Sequence, residues 1–123
     1  MAERSYELDG IGILECDAEG EPIRIGRALN DLISGAWEHR AKWIVIPVAR
    51  LGDDFFHLRT GVAGEVVQKI VQYDLKLAIL GDITRYIEES TALRDFVRES
   101  NRGNQLCFAG DRAELEQRII QVG

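Results

Sequence analysis

The chain has 123 residues, of which 21 are acidic and 15 basic, so its formal net charge is -6. This length predicts one domain over residues 1–123, large enough for a hydrophobic core without disulfides or a structural metal. The basic residues are scattered through an acidic chain, which argues against nucleic acid as a partner. The apolar runs are shorter than the roughly 20 residues that span a bilayer, so no membrane association is predicted.

The first residues of the chain and its two cysteines predict the cellular compartment. Residues 1–5 lead into strand-like sequence without the apolar stretch of a secretory signal, so we expect a cytoplasmic protein. Cys16 and Cys107 lie in apolar surroundings and are predicted to be buried thiols in a reducing compartment. No Cys or His pair has the spacing of a metal site, and we predict neither a metal nor a cofactor.

The first half of the chain begins with β structure. Residues 6–8 and 11–16 predict two short strands that turn at Asp9 and Gly10. Residues 43–47 predict a strand covered on both faces, which ends at Pro47. Between these strands, one amphipathic helix is predicted by apolar residues at helical spacing, namely Ala28, Leu29, Leu32, Ile33, Ala36 and Trp37.

The second half alternates between helix and strand. A helix is predicted from Thr60 to about Tyr73, and residues 75–80 predict a central strand. A third helix should begin with a cap at Ser90 or Thr91 and stop at Gly103, where the sequence tolerates a left-handed helix end. Residues 105–109 predict the last strand and 111–120 the last helix.

The resulting order of elements is β-β-α-β-α-β-α-β-α. It predicts an α/β fold with a mixed, mainly parallel sheet of about five strands and about four helices. Ligands of such sheets gather at the carboxyl ends of the strands, where loops meet helix N-termini. Six polar residues are predicted to lie near this rim: Asp53, Asp54, Thr60, Glu65, Asp82 and Asp111.

Thr60 has two interpretations. Its hydroxyl at a helix start caps backbone N–H groups, which contributes about 1 kcal/mol. Alternatively, Gly61 and Gly64 let the backbone approach a ligand or partner, while Arg59 and the helix dipole favour an anion, including a phosphoryl group on Thr60. The acidic residues of the preceding loop would repel that charge if they fold nearby.

The sequence predicts no catalytic residue. Glu65 lies one helical turn before Lys69, which favours a solvated ion pair over acid or base chemistry. His57 stands beside two phenylalanines without the partners that nucleophilic catalysis requires, which favours a packing role.

The polar segment of residues 99–105, between a helix and a strand, is longer than a simple cap requires. Asn101 and Arg102 are therefore candidates for binding a partner or ligand. The structural interpretation, a helix stop in which one of these two residues fastens neighbouring loops, is the one we favour.

Five segments carry a resemblance to a known family: FFHLRTGVAGE at 55–65, QK at 68–69, LAILGD at 77–82, LRDF at 93–96 and ESNRG at 99–103. With them, most of the chain from the first helix onward resembles the uncharacterised bacterial family called domain of unknown function 4180. This resemblance implies no biochemical activity.

The element order is also similar to that of STAS domains, the fold of anti-anti-sigma factors. In those proteins a strand leads through a loop into a helix opened by a Ser-Gly or Thr-Gly pair, and Thr60 with Gly61 occupies the matching place. The resemblance implies that phosphorylation of this hydroxyl switches binding to a kinase or anti-sigma partner. Where phosphorylated members typically read Asp-Ser-Ser-Gly, residues 58–61 read Leu-Arg-Thr-Gly.

Three functional hypotheses follow. The first is a non-enzymatic regulatory module that binds a protein partner around Thr60, Gly61 and Asp82. The second is a small-ligand pocket or an enzyme at the same rim, with Arg59, Glu65 and Asp82 as polar contacts. The third is a homo-oligomer in which the edge of the opening hairpin pairs across a two-fold axis.

Overall fold

The computed structural model describes residues 3–122. Residues 1, 2 and 123 lie outside it, and with them the first two residues of the segment 1–5. Its strands are β1 (Glu3–Leu8), β2 (Ile11–Cys16), β3 (Trp43–Pro47), β4 (Lys76–Leu80) and β5 (Leu106–Ala109). Its helices are α1 (Arg27–Glu38), α2 (Asp53–Phe56), α3 (Val62–Gln72), α4 (Thr84–Glu89), α5 (Thr91–Arg102) and α6 (Arg112–Val122). None of these helices is long and apolar enough to cross a membrane.

The strands form one sheet in the order β1-β2-β3-β4-β5. β1 is antiparallel to β2, whereas β2 to β5 run parallel to one another. Asp9 and Gly10 have φ angles of 54° and 81°, the left-handed pair that favours a two-residue hairpin. The predicted α/β fold with a mixed, mainly parallel sheet is confirmed, and the carboxyl ends of four strands meet at one edge.

Helices cover both faces of the sheet. Leu29 of α1, Val66 of α3 and Leu93 of α5 pack on one face, as expected for successive crossovers of the same hand. Leu115 and Ile119 of α6 pack on the other face. β3 lies between these layers, so its residues 43–46 are all buried, which confirms the interpretation of that apolar run.

The structure contains more helix than the sequence predicts. The chain has six helices within residues 3–122 because two short ones, α2 and α4, form in segments predicted as loops. α2 buries Phe55 and Phe56. His57 is exposed, so the predicted packing role of His57 is wrong and the two phenylalanines fill that place.

Two helix boundaries and one buried face also differ from the predictions. α3 begins at Val62 rather than at Thr60, because Gly61 has a left-handed φ of 79° that a right-handed helix cannot contain. α5 is capped by Ser90 as predicted, but Gly103 at its end is extended, not left-handed. Trp37 of α1 is 60% exposed, although the helical spacing placed it with the core residues.

Candidate functional site

The hydroxyl of Thr60 holds the turn that leads into α3. Its Oγ1 lies 2.7 Å from the carbonyl oxygen of Asp54 and 2.8 Å from that of His57, and it donates its proton to these acceptors. The same oxygen accepts a hydrogen bond of 3.2 Å from the backbone N–H of Val62, the first residue of α3. The capping interpretation of Thr60 holds only in part, because Gly61 is the residue that directly precedes α3 and Thr60 accepts a single helix N–H. The main contacts of its hydroxyl are with the carbonyl oxygens of the preceding loop.

The segment before Thr60 is anchored to the body of the protein. Phe55 and Phe56 are buried, and the ring of Phe56 stacks on Tyr86 of α4 with 4.3 Å between the centroids. The hydroxyl of Tyr86 donates a hydrogen bond of 2.7 Å to the carboxylate of Asp53. The exposed turn at Thr60 thus stands on a packed base that joins the loops after β3 and β4.

Two glycines lie at the start of α3, Gly61 just before the helix and Gly64 in its first turn. Gly61 is left-handed, and its carbonyl oxygen accepts the N–H of Glu65 at 3.0 Å. A methyl group built on Gly64 would find no atom within 4 Å, so the backbone there faces open space. The backbone at Gly64 is therefore not covered by neighbouring side chains.

The polar residues of the second hypothesis occupy separate surroundings. Arg59 is exposed at the turn. Glu65 lines a cleft of about 420 Å³ together with Asp53 and Asp54. No ion pair joins Glu65 and Lys69 among residues 3–122, so the predicted pair is not formed in the structure.

Asp82 caps the helix that follows it. Its carboxylate accepts hydrogen bonds from the backbone N–H and the hydroxyl of Thr84, the first residue of α4. These two bonds hold the pKa of Asp82 below its ordinary value. Asp82 lines a cleft with Gly81 and Asn101, separate from the cleft that Glu65 lines.

Asn101 and Arg102 occupy the end of α5. The side-chain oxygen of Asn101 accepts a hydrogen bond of 2.7 Å from the backbone N–H of Phe108 in β5. Because β5 is an edge strand, this contact occupies an outward N–H that another strand could use. Arg102 makes an exposed ion pair of 3.4 Å with Glu99. The fastening role predicted for this segment thus belongs to Asn101. The opposite edge of the sheet is β1, and its pairing with a second copy of the chain stays a prediction.

A groove separates α3 from α5 on the surface of the molecule. Its volume is about 740 Å³, and Gly64 and Gly103 both line it. Val67, Phe96 and Leu106 supply apolar surface. The rim carries mostly uncharged polar groups, among them Gln68, Gln72, Ser100, Asn104 and Gln105.

A charged cluster around a buried carboxylate, near the carboxyl end of β2, was not predicted from the sequence. Glu15 is 6% exposed, and Arg112 of α6 donates to both of its carboxylate oxygens at 3.0 and 2.6 Å. The hydroxyl of Tyr6 donates to the same carboxylate at 2.7 Å, and Arg4 lies 3.6 Å from it. A single acidic residue inside the apolar run 11–16 was the available signal.

The surroundings of this cluster set its ionisation. Burial alone would raise the pKa of Glu15, but hydrogen bonds from Arg112 and Tyr6 and the two guanidinium charges outweigh it, so this pKa lies below its usual range. Burial and the neighbouring carboxylate raise the pKa of Tyr6 to about 12. Glu15 and Arg112 therefore form a charged pair that ties α6 to β2.

The two cysteines are free and buried, as predicted. Burial raises the pKa of Cys16 to about 12 and that of Cys107 to about 11. A thiol reacts as its thiolate, so neither cysteine is a nucleophile near neutral pH. Within residues 3–122, no three His, Cys, Asp or Glu side chains are grouped as metal ligands would be.

These observations define an α/β domain with a hydroxyl-bearing turn at the start of a helix and a groove beside it. A protein-family model described as Domain of unknown function (DUF4180) matches residues 8–119. The chain belongs to this family, as its motifs predicted. Comparison with curated proteins and with solved structures gave no match.

Proposed function

We propose that the chain is a non-enzymatic, STAS-like regulatory module that binds a protein partner at the start of α3, with Thr60 as the switch. The observation that carries this proposal is the set of three backbone contacts made by one exposed hydroxyl. A change to that hydroxyl alters three hydrogen bonds together: those to the carbonyl oxygens of Asp54 and His57 and the one from the N–H of Val62.

Phosphorylation would act on this turn through its hydrogen bonds. A separate kinase would transfer the γ-phosphoryl group of ATP to Oγ1. The new O–P bond replaces the bond between the γ-phosphorus and its bridging oxygen, ADP leaves, and the hydroxyl proton passes to the base of the kinase. The carbonyl oxygens of Asp54 and His57 would then lose their donor and face an anion, which favours a rearranged turn.

Charges near the turn would both attract and repel such an anion. The positive end of the α3 dipole and the exposed Arg59 attract it. The carboxylates of Asp53, Asp54 and Glu65 line the adjoining cleft and repel it. Together these charges favour movement of the modified turn away from the cleft, which would change the surface a partner meets.

The docking surface that we propose extends from Gly61 and Gly64 into the groove between α3 and α5. Bare helix backbone permits close approach, and the groove offers apolar surface from Val67 and Phe96 within a polar rim. Interfaces with an apolar centre and a polar rim are common in protein association. The ligand or enzyme hypothesis receives less support because Arg59, Glu65 and Asp82 do not converge.

Partner capture with variants of Thr60 tests this proposal. Thr60→Ser keeps the hydroxyl and should retain the wild-type partners, whereas Thr60→Asp should change the amount of at least one partner by about tenfold or more. Quantitative mass spectrometry of complexes isolated from the native cells measures this. Thr91→Asp, which places the same charge at the exposed start of α5, is the matched control. Unchanged partners for both Thr60→Asp and Thr60→Ala would contradict the switch.

A further inference from the structure

We infer that the surface around Trp37 and Tyr73, near the amino ends of β3 and β4, is a second docking site that accepts an acidic protein segment with an apolar side chain. We call this surface the aromatic-basic patch and define it by Trp37, Arg40, Lys42, Lys69 and Tyr73. It is separate from the turn at Thr60, and the inference does not depend on the switch proposed there.

The exposed aromatic groups of the patch are held in place. Trp37 is 60% exposed and Tyr73 is 43% exposed. The indole N–H of Trp37 donates a hydrogen bond of 3.0 Å to the carbonyl oxygen of Tyr73, so the ends of α1 and α3 are joined through it. Single apolar residues on a surface are ordinary, but an exposed indole that is hydrogen-bonded to the backbone of a second exposed aromatic residue offers rigid contact area at a low cost in side-chain entropy.

Two helix ends shape the patch. Arg40 follows α1 and Asp74 follows α3, and both have left-handed φ angles, of 58° and 64°. The chain turns there into β3 and β4, and a cleft of about 200 Å³ forms between Trp37, Tyr73 and Lys42. The cleft is large enough for one apolar side chain and too small for a typical cofactor.

The charge of the patch differs from that of the whole chain. Three of the 15 basic residues of the chain, Arg40, Lys42 and Lys69, belong to the patch. The ammonium group of Lys69 lies 5.6 Å from the ring centre of Tyr73. Arg40 and Lys42 line the cleft with Asp74 as its acidic member, while the chain as a whole carries a net charge of -6.

The combination of aromatic and basic side chains determines which kind of partner the patch can bind. Trp, Tyr and Arg are the residues that most often dominate binding energy at protein interfaces. A local excess of positive charge in an acidic protein attracts carboxylates and repels basic segments. Nucleic acid fits less well, because the patch has few cations and an acidic residue while the rest of the molecule is acidic.

The first experiment is selection from a displayed peptide library in which Asp or Glu alternates with randomised positions, followed by fluorescence anisotropy with labelled peptides. We expect selected peptides to carry an aromatic or large aliphatic residue and to bind about tenfold or more weakly to Trp37→Ala. Arg40→Glu should also weaken binding, and added salt should weaken it further. Ile120→Ala removes another exposed apolar side chain, 44% exposed on α6, and should bind like the wild type.

Quenching of tryptophan fluorescence gives an independent measurement on the unmodified protein. Trp37 and Trp43 are the two tryptophans of the chain, and Trp43 is only 1% exposed, so iodide reports mainly on Trp37. A bound acidic peptide should protect Trp37 from iodide. Failure to select peptides, equal binding to Trp37→Ala, or tighter binding of a thymidine oligonucleotide would overturn the inference. Self-association that depends on Trp37, seen by light scattering, would also overturn it and identify a second copy as the occupant.

Discussion

At the scale of single residues, the carboxylate of Glu15 is bound by Tyr6 and Arg4 of β1 and by Arg112 of α6. The side chain of Glu15 is 7% exposed, whereas that of its partner Arg112 is 44% exposed. The carboxylate of Glu15 is therefore shielded from water, whereas the side chain of Arg112 is partly hydrated. An unpaired guanidinium can be hydrated where it is, but the carboxylate of Glu15 without Arg112 would stay buried, with only Tyr6 and the more distant Arg4 as partners.

This difference predicts unequal costs for removing the two partners. Arg112→Ala should lower the free energy of unfolding by about 3 kcal/mol, because it leaves a buried charge without its bidentate partner. Glu15→Gln should cost only about 1 kcal/mol, because the amide keeps one acceptor and Arg112 reaches water. Urea denaturation of both variants measures the two values. Arg112→Lys keeps the positive charge but not the guanidinium group that donates to both carboxylate oxygens, so its loss of unfolding free energy should lie between these two values.

Single residues also show where sequence patterns succeed and fail. The cap at Ser90 was predictable because a hydroxyl before an apolar helical repeat has one common use. Trp37 was wrongly predicted to be buried because helical spacing alone does not reveal that its N–H binds the end of another helix. Glu15 was missed because its partners come from a different strand and from α6, far along the chain.

At the scale of elements, two glycines at the start of α3, Gly61 just before the helix and Gly64 inside it, have opposite roles. Gly64 lies inside the helix, and a methyl group there meets nothing within 4 Å, so Gly64→Ala should raise the free energy of unfolding by about 0.5 to 1 kcal/mol. Gly61 has a φ of 79°, so Gly61→Ala should lower it by about 1 kcal/mol. Thermal and urea unfolding measure both. If Gly64 belongs to the docking surface, Gly64→Ala should also bind the partner less tightly while folding more stably.

The contact between α5 and the edge strand β5 gives another prediction at this scale. Asn101→Ala removes the acceptor for the N–H of Phe108, which should cost about 1 to 2 kcal/mol and expose the strand edge to pairing with other chains. Asn101→Asp keeps an oxygen in place and should retain most of the stability. Urea denaturation gives the cost, and light scattering during prolonged incubation detects aggregation. Equal aggregation of the two variants would show that the amide oxygen does not protect the edge.

The elements were predicted best where the chain is periodic. All five strands and the helices α1, α3, α5 and α6 follow apolar patterns, with ends displaced by a few residues. α2 and α4 were missed because they have 4 and 6 residues, too few to show a helical repeat. Their formation depends on tertiary contacts, such as the stacking of Phe56 on Tyr86.

At the scale of the whole molecule, alternation of strand and helix predicted a mainly parallel sheet with right-handed crossovers, whereas the spatial order β1-β2-β3-β4-β5 was not predicted. That reasoning also predicted that the carboxyl ends of β2, β3, β4 and β5 share one edge. It did not show which of the polar residues at that edge meet. Asp82 is bound to the start of its own helix, whereas Asp53 reaches across to Tyr86, and such choices depend on side-chain packing in three dimensions.

The response of the whole molecule to acid combines two effects. Lowering the pH from 7 toward the isoelectric point of about 4.9 reduces the net charge of -6 and with it the repulsion that opposes folding, whereas below that point a growing positive charge restores the repulsion. Glu15 adds a loss of stability in the acid range. Its folded pKa is depressed, so its stabilisation is present above the unfolded pKa of about 4.3 and is lost as the pH falls through the folded value.

A comparison of variants between about pH 7 and about pH 3 separates these effects. Glu15→Gln should be less stable than the wild type at neutral pH, and the difference should shrink as the pH falls, because the wild type then also carries a neutral group at this position. Glu99→Gln removes a carboxylate of an exposed ion pair and is the matched control, since such pairs contribute little. Urea midpoints at each pH measure the difference. A constant gap between wild type and Glu15→Gln over this range would mean that Glu15 stabilises the fold through its shape and hydrogen bonds rather than through its charge.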